Sequence, residues 1–157
     1  MASEFKTRLH VQDALSSGAS VTLDADRAHF LRNVLRLRPT DPVALFNGRD
    51  GEWGSEIAEL GKRSARLVLG GQTRQQAGEA DIWLAFAPIK RARIDFIAQK
   101  ATELGATVLW PVFTRFTAME RVNLDRLRAN AIEAAEQCGR LTVPEIREPI
   151  RFDQLLD

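Results

Sequence analysis

The period of the apolar residues changes once along this chain, on either side of a ten-residue polar stretch running from Gly70 to Glu79. Before it, apolar residues alternate in short runs. Pro42 to Phe46 reads as a strand, and Glu52 to Leu60 as a returning strand with Trp53, Ser55 and Ile57 on one face. Between them Asn47-Gly48-Arg49-Asp50-Gly51 reads as a turn, because Asn and Gly tolerate positive φ. Lys6 to Val11 and Arg63 to Leu69 alternate in the same way, the second entered through Gly61-Lys62. Asp24 or Asp26 can cap one helix running to about Leu37. Arg38-Pro39 ends it, since a residue before proline is pushed out of the α region. Short strands, tight turns and one helix predict a small β-barrel.

After Ala80 the runs lengthen. Ile82 to Ile89 reads as a buried strand of a parallel sheet. Arg91 to Leu104 reads as a helix with Ile94, Ile97, Ala98, Ala101 and Leu104 inward and Gly105 as its C-terminal cap. Thr107 to Phe113 is a second apolar strand, so the order β, α, β predicts a right-handed crossover. Val143 to Ile146 begins another strand, and Phe152, Leu155 and Leu156 begin a further helix face. The polar stretch has no periodicity and marks a boundary: residues 1–72 as one domain, 73–79 as linker and 80–157 as a second domain. A long hairpin loop inside one domain is the alternative. Two clear parallel strands with two or three helices leave apolar faces open. The expectation is therefore more chain after Asp157, or a partner over the open edge.

Composition narrows the class. Hydrophobic residues make up 45% and charged residues 27%, the balance of a soluble globular protein. No apolar run is long enough to span a membrane, and Met1 to Lys6 lacks the apolar core of a leader. Cys138 is the single cysteine, which excludes an internal disulfide and a cysteine-rich zinc site; on the apolar side of a helix it is expected to be a small core residue. These readings point to a cytoplasmic protein without a membrane partner. The only histidines, His10 and His29, sit in no nucleophile motif; no metal-ligand cluster and no phosphate loop is present in the sequence. Net charge is +1, and division after Gln75 gives 11 basic and 9 acidic residues, then 11 and 12. A nucleic-acid surface must therefore come from local clustering.

Asn123 to Arg140 is the most informative helix. Leu124, Leu127, Ala131, Ala134 and Cys138 form its apolar face, and Arg126, Asn130, Glu133, Glu136, Gln137 and Arg140 the other. Carboxylate, amide and guanidinium on one stripe can hydrogen-bond a nucleobase or a phosphate, whereas a solvated face would need no ligand. Three basic clusters accompany it. Arg32 and Arg36 are spaced one helical turn apart, with Arg38 beyond. Lys90, Arg91 and Arg93 sit where the first strand of the second half hands over to its helix, the carboxyl edge at which open α/β sheets bind ligands. Lys62, Arg63 and Arg66 lie on a turn and strand and face solvent.

In order along the chain, Leu31-Arg32-Asn33-Val34-Leu35-Arg36-Leu37, Leu45-Phe46-Asn47-Gly48, Thr102-Glu103-Leu104-Gly105 with Lys90, Lys100 and Pro111, and Ala134-Ala135-Glu136-Gln137-Cys138-Gly139-Arg140 followed by Val143-Pro144-Glu145-Ile146 carry a resemblance. Together they resemble the small-subunit ribosomal RNA uridine-N3 methyltransferase family of the SPOUT, or trefoil-knot, class. The resemblance implies an α+β two-domain chain: an N-terminal PUA-like β-barrel that binds RNA, followed by an incomplete α/β trefoil-knot methyltransferase domain. It implies S-adenosyl-L-methionine as cofactor and small-subunit ribosomal RNA, or the small ribosomal subunit, as partner. It also implies a homodimer when the protein is full length. Two departures stand out. Thr114-Arg115-Phe116-Thr117 replaces the family's Ser-Glu-Arg-Ser, and the glycine-rich cofactor loop is expected only beyond Asp157, leaving this chain alone inactive.

Uridine N3 carries a proton that must leave before the nitrogen can attack a methyl group, so a cation that stabilises the developing anion is useful. Arg140 is expected in that role, with Glu136 and Gln137 orienting the base or Arg140. Arg8, Arg32, Arg36, Lys90, Arg91 and Arg93 are expected to contact RNA. An RNA-binding module without catalysis is the alternative, and an interaction protein with an open sheet edge is a third reading.

Overall fold

The computed structural model describes residues 5–117 and 119–156, apart from the side chains at 91 and 92; residues 1–4, read in part for a leader, lie outside it. It divides into two units, Met1–Ala77 and Gly78–Asp157.

The first unit is a five-stranded sheet in the order β1 (Arg8–His10), β3 (Pro42–Phe46), β4 (Glu52–Leu60), β5 (Ala65–Arg74), β2 (Ser20–Leu23). β1 runs parallel to β3; the other pairings are antiparallel. Leu9, Val21, Leu23, Val43, Leu45, Ile57, Leu67 and Leu69 alternate inward and form the core. The β3–β4 turn is built by Asn47, whose Oδ1 accepts the amides of Arg49 and Asp50, while Asp50 accepts the Leu15 amide. Gly51 has φ +77°, and a Cβ there would meet the Arg74 carbonyl oxygen at 2.2 Å, so only glycine fits.

Three expectations change here. β2 was not foreseen. The helix is shorter: α1 (Ala25–His29), capped by the Asp24 carboxylate on the Arg27 amide, runs into a π-helical turn, Phe30–Val34. Arg36 then takes φ +56°, so it leaves the helical path and does not sit one turn from Arg32. The strand expected to end at Leu69 continues to Arg74, because Trp53 and Glu52 at the start of β4 pair with Gln72 and Arg74. Residues 70–74 are thus ladder, which removes 73 and 74 from the expected linker.

The second unit has an all-parallel sheet, with β7 (Val108–Phe113) central. β6 (Trp83–Phe86) flanks it on one side; β8 (Glu145–Ile146) and β9 (Ile150–Arg151) follow one another along the other. α2 (Arg91–Glu103) and α3 (Leu124–Cys138) lie on one face, where Ile94, Ala98, Ala101, Leu127 and Ala131 meet Leu109 and Ile146. The opposite face carries Trp83, Trp110 and Arg147, the guanidinium 4.0 Å and 5.0 Å from the two ring centroids. α4 (Phe152–Leu155) closes the described chain, with Phe152 and Leu156 exposed. Leu104, expected inward, is 81% exposed: it follows the last helical turn, and the seam passes to Thr102 and Ala101 instead. Cys138, expected in the core, is also exposed, because α3 ends there and its seam stops at Ala134 and Ala135.

Candidate functional site

α3 begins where Asn123 Oδ1 accepts the Arg126 amide at 3.0 Å and ends at Gly139, whose φ of +83° stops the helix. Between these caps the polar stripe divides into two clusters. Toward the start, Asp95 of α2 receives Arg126 Nε at 2.9 Å and Nη2 at 2.5 Å, and Asn130 Nδ2 at 2.8 Å. Asp95 raises the pKa of Arg126 through these hydrogen bonds and its charge. Farther along, Gln137 Nε2 reaches Glu133 at 3.4 Å; Gln137 is exposed and Glu136 half-buried. A groove of about 280 Å³ between the helices is lined by Asp95, Phe96, Gln99, Asn130, Glu133 and Gln137.

Arg140 belongs to a different environment. Its Nη1 donates to the carbonyl oxygens of Thr102 and Ala106, both at 2.8 Å. Nη2 donates to Glu79 and to Thr142 Oγ1, and Nε to Glu79 at 3.4 Å. A guanidinium has five N–H donors, and all five are engaged within the chain. Thr102, in the last turn of α2, also offers its carbonyl to the Gly105 amide at 3.1 Å, and Ala106 follows the helix; a cation at this end meets the negative pole of the helix dipole. Thr142 Oγ1 donates to Glu79 at 2.5 Å, closing the network. The Arg140 side chain is 10% exposed. Burial raises the Glu79 pKa, but hydrogen bonds from Arg140 and Thr142 and the charge of Arg140 outweigh it, so the carboxyl sits below its ordinary value. Glu79 and Thr142 were missed by sequence reasoning; so was Asp95.

The expected RNA contacts fall into unlike settings. Arg8 is 14% exposed, pairs with buried Glu52 at 2.5 Å and lies 4.6 Å from the Phe46 ring centroid. It is an internal ion pair rather than an outward cation. Arg32 is half-buried, with Nε on Asn33 Oδ1 at 3.3 Å, and Arg36 is exposed. Lys90 and Arg93 are exposed at the start of α2, directly after β6, the carboxyl edge of the parallel sheet. The side chain of Arg91 lies outside the described residues. A positive group that the sequence did not assemble surrounds His10. Burial, then the charges of Arg27 and Arg49, lower its pKa, and Arg49 Nη2 is held by the Gln12 carbonyl at 3.0 Å. Among the described residues no group of three His, Cys, Asp or Glu side chains is placed to hold a metal, and no helix is long and apolar enough to cross a membrane.

Comparison with known proteins gives this geometry a context. A family model described as an RNA methyltransferase domain matches residues 76–157, and one described as an RNA methyltransferase PUA domain matches residues 23–70. Ribosomal RNA small subunit methyltransferase E of Rickettsia conorii is 34% identical over 95% of this chain and 62% of its own length. The crystal structure of a ribosomal RNA small subunit methyltransferase E from Neisseria gonorrhoeae, bound to S-adenosyl methionine, is 28% identical and superimposes with a TM-score of 0.84, covering 96% of this chain and 65% of that one. A methyltransferase from Legionella pneumophila in complex with the same cofactor is 25% identical, with a TM-score of 0.87 over 96% and 65%. The chain therefore spans a little under two thirds of the length of these relatives.

Proposed function

This chain belongs to the RNA methyltransferase family that includes the ribosomal RNA small subunit methyltransferases E, and from that premise we propose that it serves methyl transfer to N3 of a uridine in small-subunit ribosomal RNA. The observation that carries the proposal is the superposition of 96% of the chain on a methyltransferase bound to S-adenosyl methionine. In this reading residues 1–72 curl into a PUA-like barrel that positions RNA, and residues 80–157 contribute to a trefoil-knot methyltransferase domain working as a homodimer in the cytoplasm.

S-adenosyl-L-methionine supplies the methyl group, and its sulfonium is a cation. The larger groove of the second unit, about 440 Å³, is lined by Arg121 and Arg126, and its one carboxylate, Asp95, is already paired. Asp95 and Arg126 offset each other, so Arg121 leaves the lining net positive, which opposes a sulfonium. The described residues of the 440 Å³ groove therefore do not fit the cofactor. The 280 Å³ groove shares Asp95 and adds Glu133, whose carboxylate receives the neutral Gln137 amide and has the sign that a sulfonium needs.

What this chain supplies is a face for the base. Glu136 and Gln137 present a carboxylate and an amide on successive residues, able to orient the uracil edge. Arg140, with its five donors committed, acts as a positioning residue: it ties the end of α3 to the end of α2 and so fixes the last turn that carries Glu136 and Gln137. Lys90 and Arg93, at the carboxyl edge of the second unit's sheet, contact RNA phosphates, and so do Arg32 and Arg36 of the first unit; Arg8 braces β1 against β4 through Glu52.

The test is genetic. Deleting the gene that encodes this chain should remove 3-methyluridine from small-subunit ribosomal RNA, read by mass spectrometry of digested RNA, and a plasmid copy should restore it. Persistence of the modified nucleoside in the deletion strain overturns the proposal.

A further inference from the structure

Phe116 is 87% exposed, the most exposed large apolar side chain among the described residues. Its backbone is nevertheless well tied. The Thr114 amide donates to Thr117 Oγ1 at 2.8 Å, the two threonine hydroxyls lie 3.0 Å apart, and the Thr117 amide returns to the Thr114 carbonyl at 3.2 Å. Three hydrogen bonds across four residues hold the ring out in water. Beside it, the Arg115 guanidinium lies 5.5 Å from the ring centroid. The turn follows β7 directly, at the carboxyl edge of the parallel sheet, and exposed Lys90 and Arg93 follow the neighbouring strand β6 at that edge.

We propose that Phe116 and Arg115 form a stacking site for an unpaired RNA base, the ring taking the face of the base and the guanidinium the adjoining phosphate. The inference rests on the RNA-directed reading given above. A solvent-exposed ring beside a cation is how single strands are held without sequence preference, because every base has a face to stack and a phosphate to neutralise. A duplex hides its base faces, so it offers the ring nothing. Within the turn the neighbours of the ring, Thr114, Arg115 and Thr117, are polar, which suits a base and its phosphate. The ordered turn matters because it lowers the entropy lost on binding.

Affinity of the whole chain for a short single-stranded RNA of mixed sequence, and for the same RNA annealed to its complement, tests this. Phe116→Ala should weaken single-strand binding roughly tenfold and leave duplex binding unchanged. Phe116→Trp should keep the affinity, and the indole it introduces should be quenched by the single strand. Phe116→Leu, apolar but without a ring face, should behave as Phe116→Ala. Arg115→Ala should lower the salt slope by about 0.7. Wild-type affinity in Phe116→Ala or Phe116→Leu, or no quenching in Phe116→Trp, overturns the stacking site and leaves the methyltransferase reading standing. A wild-type chain that binds no RNA at low salt overturns the stacking site together with the RNA-directed role of the chain.

Discussion

The two units hold themselves together by different means. Among the described residues, the first packs thirteen buried residues into its core, eleven of them Leu, Val or Ile. Among the described residues, the core of the second has eight buried ones, and four of those are alanine. The exposed large apolar side chains show the same contrast: Phe30, Val34 and Val68 in the first unit, against Ile82, Trp83, Ile89, Phe96, Leu104, Phe116, Phe152 and Leu156 in the second. Apolar burial contributes about 25 cal/mol per Å², so a small alanine-rich core leaves more of the work to polar ties. Arg140 with Glu79 and Thr142, and Asp95 with Arg126 and Asn130, are those ties. The first unit also buries an ion pair, Arg8 with Glu52, but beside a larger apolar core.

Truncation in each unit should sharpen the contrast. Leu45→Ala removes a fully buried side chain of the first core and should cost that unit about 3 kcal/mol. Arg140→Ala leaves Glu79 without its cation and removes the side-chain donors to the Thr102 and Ala106 carbonyls, and should cost the second unit about 2 kcal/mol. The figure is below the range for a fully enclosed pair because Glu79 keeps about a quarter of its surface in water. Hydrogen–deuterium exchange read peptide by peptide separates the two units. If Arg140→Ala loosens both alike, or neither, the division of labour is wrong.

Acid should act on the second unit through the same network. The Glu79 pKa is depressed in the folded chain, so its contribution is present above the ordinary carboxyl value of 4.5 and is lost as pH falls through the lower folded value. Stability of the second unit should therefore decline from about pH 5 downward, and Glu79→Gln should lower stability at pH 7 and flatten that decline. An unchanged acid limb in Glu79→Gln, followed by exchange over residues 79–106, would show that the carboxylate contributes nothing there.

What could be read from sequence follows the range of the interactions. Pro42–Phe46, Glu52–Leu60 and the turn between them were legible because alternation and turn chemistry are local signals. β2 was not, since Ser20–Leu23 offers only two buried positions, too few to establish a period. The π-helical turn and the left-handed Arg36 have no residue-type signature. On the site, the polar stripe of α3 was visible from spacing, but its division was not. Asp95 lies 31 residues from Arg126, and Glu79 lies 61 from Arg140. Such pairings are set by how the sheet brings α2 and α3 together, and a single sequence carries no trace of them. The partner of Arg8 was hidden for a similar reason: alternation on β1 gives its side of the strand, but not the buried Glu52 that waits 44 residues away.

The smallest expected effect tests the exposed side of the comparison. Helical spacing put Leu104 inward with Ile94, Ala98 and Ala101, whereas the structure leaves it 81% exposed beyond the last turn of α2. Exposed truncations usually change stability by no more than about 0.5 kcal/mol, so Leu104→Ala should be close to neutral in chemical denaturation. Ile94→Ala, on the same helix and buried, should cost about 3 kcal/mol. A Leu104→Ala penalty above about 1 kcal/mol would mean that this surface is covered in solution, because an apolar side chain in water has little to lose on truncation. Dilution then separates the sources: a penalty that vanishes with falling protein concentration comes from a second copy, and one that persists comes from the same chain. A neutral result fixes Leu104 as surface and leaves α2 with a buried seam of Ile94, Ala98, Ala101 and Thr102, thin enough that the Asp95 contacts to α3 and the Arg140 contacts at its end matter.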